Sequence, residues 1–252
     1  MIAPHAFVFI KHEDQVSLGR AILRINASRR QRLVYRSLIL SAPRRGWITL
    51  LLGGGGMTDH LLLRNLSGRL STLAFELHLG MIAFSYRLYR EGRTVSAFES
   101  NLPFYVNNRL QMLRTPRDIN ILDLAEPVER LVLERFHANQ HPGRVLGMNI
   151  EIPEDIEAYY RGNPARLQPV LRPGVDEDYV ASLLAPGFNP EGAFELLVSL
   201  LDLPYLPADT VEVGEGDAVR RITGYAITRP STWRETLPDG WRRMPALLTG
   251  AE

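Results

Sequence analysis

The stretch that most restricts the fold is AFELHLGMIAFSYRLYREGRTVSAFES, residues 74–100. In its first part Phe75, Leu77 and Leu79 alternate with Glu76 and His78. Successive strand side chains point to opposite faces, so this predicts a strand with one apolar and one polar face. Glu91-Gly92 predicts a tight turn, because Gly92 can take a positive φ at no steric cost. A two-residue turn there pairs Leu88 with Val95 and Tyr86 with Ala97, and sets Arg87 opposite Ser96 on the other face. The chain must therefore build an antiparallel sheet around this hairpin.

The flanking sequence supplies the rest of that sheet. AFVFI (6–10), LVYRSLIL (33–40) and WITLLL (47–52) read as strands by their β-branched and aromatic content. The third is apolar throughout, as a strand buried on both faces is. A helix is expected after Gly53–Gly56, capped by Thr58 or Asp59, with Leu62, Leu66, Leu70 and Leu73 on its buried face. His60, Arg64, Ser67 and Ser71 fall on the opposite face. Gly68 within it costs about 1 kcal/mol relative to alanine. The resulting β-α-β-β-β unit predicts an α+β fold rather than a repeating βαβ one.

The second half is read more coarsely. Residues 15–32 fit neither period, and residues 101–125, with Pro103 and Pro116, read as loop. A helix is expected at about 126–139, with Val128, Leu131, Val132 and Phe136 as its stripe. Residues 142–190 carry seven prolines and read as a connector with one short helix near 178–185. NPEGAFELLVSLLDLP (189–204) is a well-marked helix, with Asn189 as cap and Pro190 at its first position. A second hairpin is expected at 210–228, and an extended tail after it. The expected division is 1–141, 142–190 and 191–252, with the outer parts able to form one domain.

Composition narrows the chemistry. The 252 residues include no cysteine, which excludes disulfides, thiolate metal sites and cysteine nucleophiles. With no signal-peptide pattern and no apolar run of about 18 residues, the expectation is a soluble, cytoplasmic protein without a membrane partner. The net charge of +1 hides an asymmetry: residues 1–117 hold 17 basic against 6 acidic side chains (+11), and residues 118–252 hold 12 against 22 (−10). Lys11 is the sole lysine, and the other basic residues are arginine.

Four groups of residues are candidates for function. Gly53, Gly54, Gly55, Gly56 and Thr58 lie between a strand and a helix N-terminus, where free N–H groups favour an anion. The run lacks the lysine of a phosphate-binding P-loop and the third glycine of a dinucleotide fingerprint. Arg29, Arg30, Arg32 and Arg36 belong to a basic segment that could follow a nucleic-acid backbone, without the aromatic interleaving of a single-strand binder. His137 and His141 have helical spacing, but HANQH lacks the glutamate of a metalloprotease, and Pro142 follows at once. Two acidic clusters, Glu154, Asp155, Glu157 and Asp176, Glu177, Asp178, could do acid–base work only if burial separated their pKa values. No serine-hydrolase elbow occurs.

Trp233, Arg234, Trp241, Arg242 and Arg243 near the C-terminus are residue types favoured in protein interfaces. The leading expectation is thus a non-catalytic protein-interaction or regulatory module, with another protein or a second copy as partner and neither cofactor nor metal. The alternative is a small-molecule or phosphoester-binding protein, possibly an enzyme, that uses the Gly53–Gly56 loop. Non-specific nucleic-acid binding through the arginine-rich segment comes third.

Overall fold

A computed structural model of the chain describes residues 5–27, 37–53, 60–79, 83–112, 126–139, 151–185, 190–204, 210–215, 218–223 and 242–243. Its centre is an antiparallel sheet. The strands are β1 (His5–Lys11), β2 (Ser37–Leu40), β3 (Trp47–Gly53), β4 (Leu73–Leu79), β5 (Phe84–Arg90), β6 (Arg93–Glu99) and the short β9 (Arg242–Arg243). They stand in the order β6-β5-β4-β1-β3-β2-β9. Every neighbouring pair is antiparallel. A separate hairpin joins β7 (Thr210–Glu215) to β8 (Ala218–Thr223). The fold is α+β, with the expected strand–helix–hairpin unit running from β3 to β6.

The Glu91-Gly92 turn forms as the sequence requires, with φ of 51° and 80°. Beyond it the expected register is wrong by one residue. Tyr89 faces Thr94, but Leu88 faces Ser96, Arg87 faces Ala97 and Tyr86 faces Phe98. Val95 is the extra residue of a β-bulge, which no two-residue periodicity can announce. The bulge moves Ser96 onto the face of Tyr86, where the Tyr86 hydroxyl lies 3.1 Å from Ser96 Oγ. Asn163 N–H donates to both oxygens.

Both faces of the sheet are covered. On the first, Phe7, Phe9, Phe75, Leu77 and Tyr86 pack against Leu167, Val180, Leu183, Phe194 and Leu197. These come from α6 (Pro164–Leu167), α7 (Glu177–Leu183) and α8 (Pro190–Leu200). The segment expected as an irregular connector therefore contributes to the core. Four of its prolines, Pro153, Pro164, Pro169 and Pro190, sit at helix starts, where no N–H is needed; Pro164 follows Asn163, whose side chain accepts from Arg166 N–H. Asp176 caps α7 in the same manner, accepting from Asp178 and Tyr179 N–H.

On the second face, Val8, Ile10, Ile48, Leu50 and Ala74 pack under α1 (Gln15–Ala27) and α2 (His60–Arg69). Toward β6 a third cluster joins Ala97 to α3 (Leu102–Met112), α4 (Pro127–Asn139) and α5 (Glu154–Tyr159). Helix α3 corrects the loop expected at 101–125. Pro103 is in its first turn rather than a breaker, and Asn101 Oδ1 accepts from Phe104 N–H. Ser67, expected on the outer face of α2, is buried because the hairpin turn packs on it: Gly92 N–H donates to Ser67 Oγ at 3.0 Å.

Candidate functional site

The alternation of AFELHL predicts a polar second face on β4. It is polar and buried. Glu76 is 0% exposed, Arg87 2% and Tyr89 0%. The register sets these residues in rows across the strands. Ala74 faces Tyr89 and then Thr94; Glu76 faces Arg87 and then Ala97; His78 faces Ser85 and then Glu99. A charged lattice thus lies between the apolar cluster under α1 and α2 and the one under α3 to α5.

Glu76 is its centre. One carboxylate oxygen lies 2.9 Å from His60 Nδ1 and 3.3 Å from the Tyr89 hydroxyl, and the other accepts from His78 Nε2. His60 arrives from the first residue of α2 and His78 from the same strand two residues on. Their side chains are 25% and 23% exposed, so the histidines face outward from a carboxylate that water does not reach. Burial opposes the Glu76 charge, but the two imidazoles outweigh it and hold its pKa well below 4.5. Burial likewise pulls His60 down; Glu76, through charge and hydrogen bond, more than offsets this and leaves it above 6.5.

An ionised carboxylate only accepts hydrogen bonds, so both N–H groups must point at Glu76. That fixes the tautomers. Neutral His60 carries its proton on Nδ1 and keeps a lone pair on Nε2; neutral His78 carries it on Nε2 and keeps Nδ1. Among the described residues neither free nitrogen takes a hydrogen-bond partner. His60 can therefore take up or release a proton at its outer nitrogen while the carboxylate steadies the imidazolium. A carboxylate–imidazole pair in an acid–base enzyme works this way.

Arg87 is the second unusual group. Its Nη1 donates to the carbonyls of Tyr86 (3.0 Å) and Phe98 (3.1 Å). The guanidinium lies 4.8 Å from the ring centre of Tyr160 and 5.8 Å from that of Tyr105. Burial disfavours its charge, but Tyr160, Tyr105, Glu126 and Glu99 outweigh that and keep it cationic. Glu126 is occupied by other donors: Thr94 Oγ1, Tyr160 and Tyr159 at 2.9, 3.1 and 3.3 Å. Burial pushes Glu99 up to about 7, with Arg87 opposing.

Of the residues expected from sequence to carry function, Gly53 is the last residue of β3, facing Ser37. Gly54, Gly55, Gly56 and Thr58 lie outside the described residues, as do Arg29, Arg30, Arg32, Arg36, Trp233, Arg234 and Trp241. Chain order alone makes the glycine run the link from β3 to His60. Arg242 and Arg243 form β9, facing Leu40 and Ile39, with Arg242 exposed. His137 is exposed on α4, and His141 lies outside the described residues. The acidic side chains at 154, 155, 157, 176, 177 and 178 are exposed. No group of three or more histidine or acidic side chains among the described residues is arranged to hold a metal ion.

The lattice was missed because its members are spread from residue 60 to residue 160. The available signals were separate ones, His60 on the outer face of the expected helix and Glu76 and His78 on the polar face of the expected strand. Comparison with known protein families, with curated proteins and with solved structures finds no match to this chain.

Proposed function

We propose that the chain binds a small molecule over the second face of β4 and β5, and that His60 and His78 exchange protons with it. This is the small-molecule reading of the sequence with its centre moved from the glycines to the residues that follow them. The observation that carries it is the buried Glu76 carboxylate clamped between two quarter-exposed imidazoles. A structural ion pair needs one histidine; two that each present an outer nitrogen make an acid and a base side by side. The interaction reading rests on Trp233, Arg234, Trp241, Arg242 and Arg243, of which Arg242 and Arg243 are described, as the short strand β9.

The test is a thermal-shift screen of the full chain against carboxylates, inorganic phosphate and phosphomonoesters. A ligand at 100 times its Kd adds about 2.7 kcal/mol, which raises Tm by roughly 5–10 °C at this size. The reading expects such a shift, lost in both His60→Asn and His78→Asn variants that keep their fold. A panel without a hit, or a hit indifferent to both substitutions, contradicts it.

A further inference from the structure

Within that site Arg87 stands apart, because no described residue of opposite charge pairs with it. Among the described residues it forms no ion pair within 4 Å. Glu76, its cross-strand neighbour, gives its oxygens to His60, His78 and Tyr89. Nη1 is spent on two backbone carbonyls, but Nε is buried with no partner. A buried donor without a partner has lost its water and gained nothing in return, more so when charged, and such groups call for an explanation. Two tyrosine rings hold the cation in position, as they would to keep its remaining edge aligned.

We propose that Arg87 is the anion anchor of the site, and that its Nε and Nη2 edge takes the carboxylate of a monoanionic ligand in a bidentate fork. The inference rests on the small-molecule reading and names its ligand class. Nε and Nη2 point the same way and match the two oxygens of a planar carboxylate. A phosphate dianion is disfavoured, because Glu76, Glu99 and Glu126 surround a single permanent cation.

The experiment is a titration of the isotopically labelled full chain with acetate, propionate and benzoate, with inorganic phosphate as comparator. The readout is the side-chain Nε–H resonance of Arg87, assigned through its own carbons, so no variant is required. The expected result is a saturable shift of that resonance by a carboxylate at lower concentration than by phosphate. In Arg87→Lys, which keeps the charge and loses the fork, carboxylate affinity falls by about tenfold or more. If that variant does not fold, the wild-type resonance decides alone. An Arg87 resonance unmoved by every carboxylate, an equal or stronger response to phosphate, or undiminished affinity in a folded Arg87→Lys overturns the proposal. If a carboxylate binds at Arg87 and leaves the pH titrations of His60 and His78 unchanged, the anchor stands and the proton-exchange reading falls. If a ligand perturbs the histidines and never Arg87, the reverse holds.

Discussion

Replacing Glu76 by glutamine removes one charge from the centre of the lattice and keeps its shape. The carboxylate receives three donors, two from imidazoles and one from Tyr89. An amide offers one oxygen, and its NH2 must then face an imidazole N–H or the Tyr89 hydroxyl. At least one charge-assisted bond is lost, and the group that faces the NH2 must switch tautomer or turn its hydroxyl to accept. Such bonds are worth about 1.5–3 kcal/mol, and the partial exposure of both rings favours the lower figure. The expected loss is about 2–3 kcal/mol near neutral pH, a fall in Tm of roughly 5–10 °C.

The loss carries a pH signature. Glu76 has a folded pKa below 4.5, so its stabilisation is present above 4.5 and disappears as pH falls through the lower folded value. His60 has a folded pKa above 6.5, so its stabilisation is complete below 6.5 and is lost as pH rises through the higher folded value. The gap between wild type and Glu76→Gln is therefore widest at about pH 5–6 and narrows on either side. In the variant, burial and Arg87 pull His60 down with Glu126 alone opposing, and its pKa falls. Urea unfolding at several pH values and histidine NMR titrations measure both effects. Equal stability of the two proteins from about pH 4 to about pH 8, or an unchanged His60 titration, refutes the reasoning.

Four further outcomes follow from other residues. Glu99 is raised to about 7 by burial, so the folded state holds its proton longer than the unfolded one; stability falls by on the order of 2–3 kcal/mol between about pH 4.5 and about pH 7, and Glu99→Gln flattens that slope in pH-dependent unfolding. Gly68→Ala destabilises despite the better helix former, because the added Cβ meets the Gly92 backbone at 3.1 Å; a higher urea midpoint would contradict this. Glu129→Ala removes the two 2.7 Å bonds that Arg109 makes to it between α3 and α4, and costs about 1.5–3 kcal/mol in chemical unfolding. Asp202→Ala removes the partner of Arg45 in an exposed pair and changes stability by less than about 1 kcal/mol, measured the same way.

The antiparallel sheet was legible because alternation and a Glu-Gly turn are local signals. Strand β4 and the ends of α4 could be read from spacing alone. The bulge at Val95 could not, because an extra residue leaves the composition of the strand unchanged while moving Ser96 to the opposite face. Helix α3 was hidden by Pro103, whose meaning depends on whether it opens a helix or interrupts one. The alternation of Glu76 and His78 correctly gave a polar face, but polarity does not say whether water or another layer covers it. That depended on α2 and on α3 to α5, whose packing is set by residues up to 80 positions away. Once the carboxylate is covered, the same Glu and His residues change from a solvated edge into a site with directed protons.

The most direct measurement is the tautomeric state of the two histidines, read from nitrogen–proton correlation spectra of the labelled full chain above the pKa values of both rings. The account predicts neutral His60 protonated at Nδ1, the less common tautomer, and neutral His78 protonated at Nε2, each with the opposite nitrogen free to take a proton. His60 protonated at Nε2, or His78 at Nδ1, would mean that Glu76 does not orient that ring and would contradict the acid–base site.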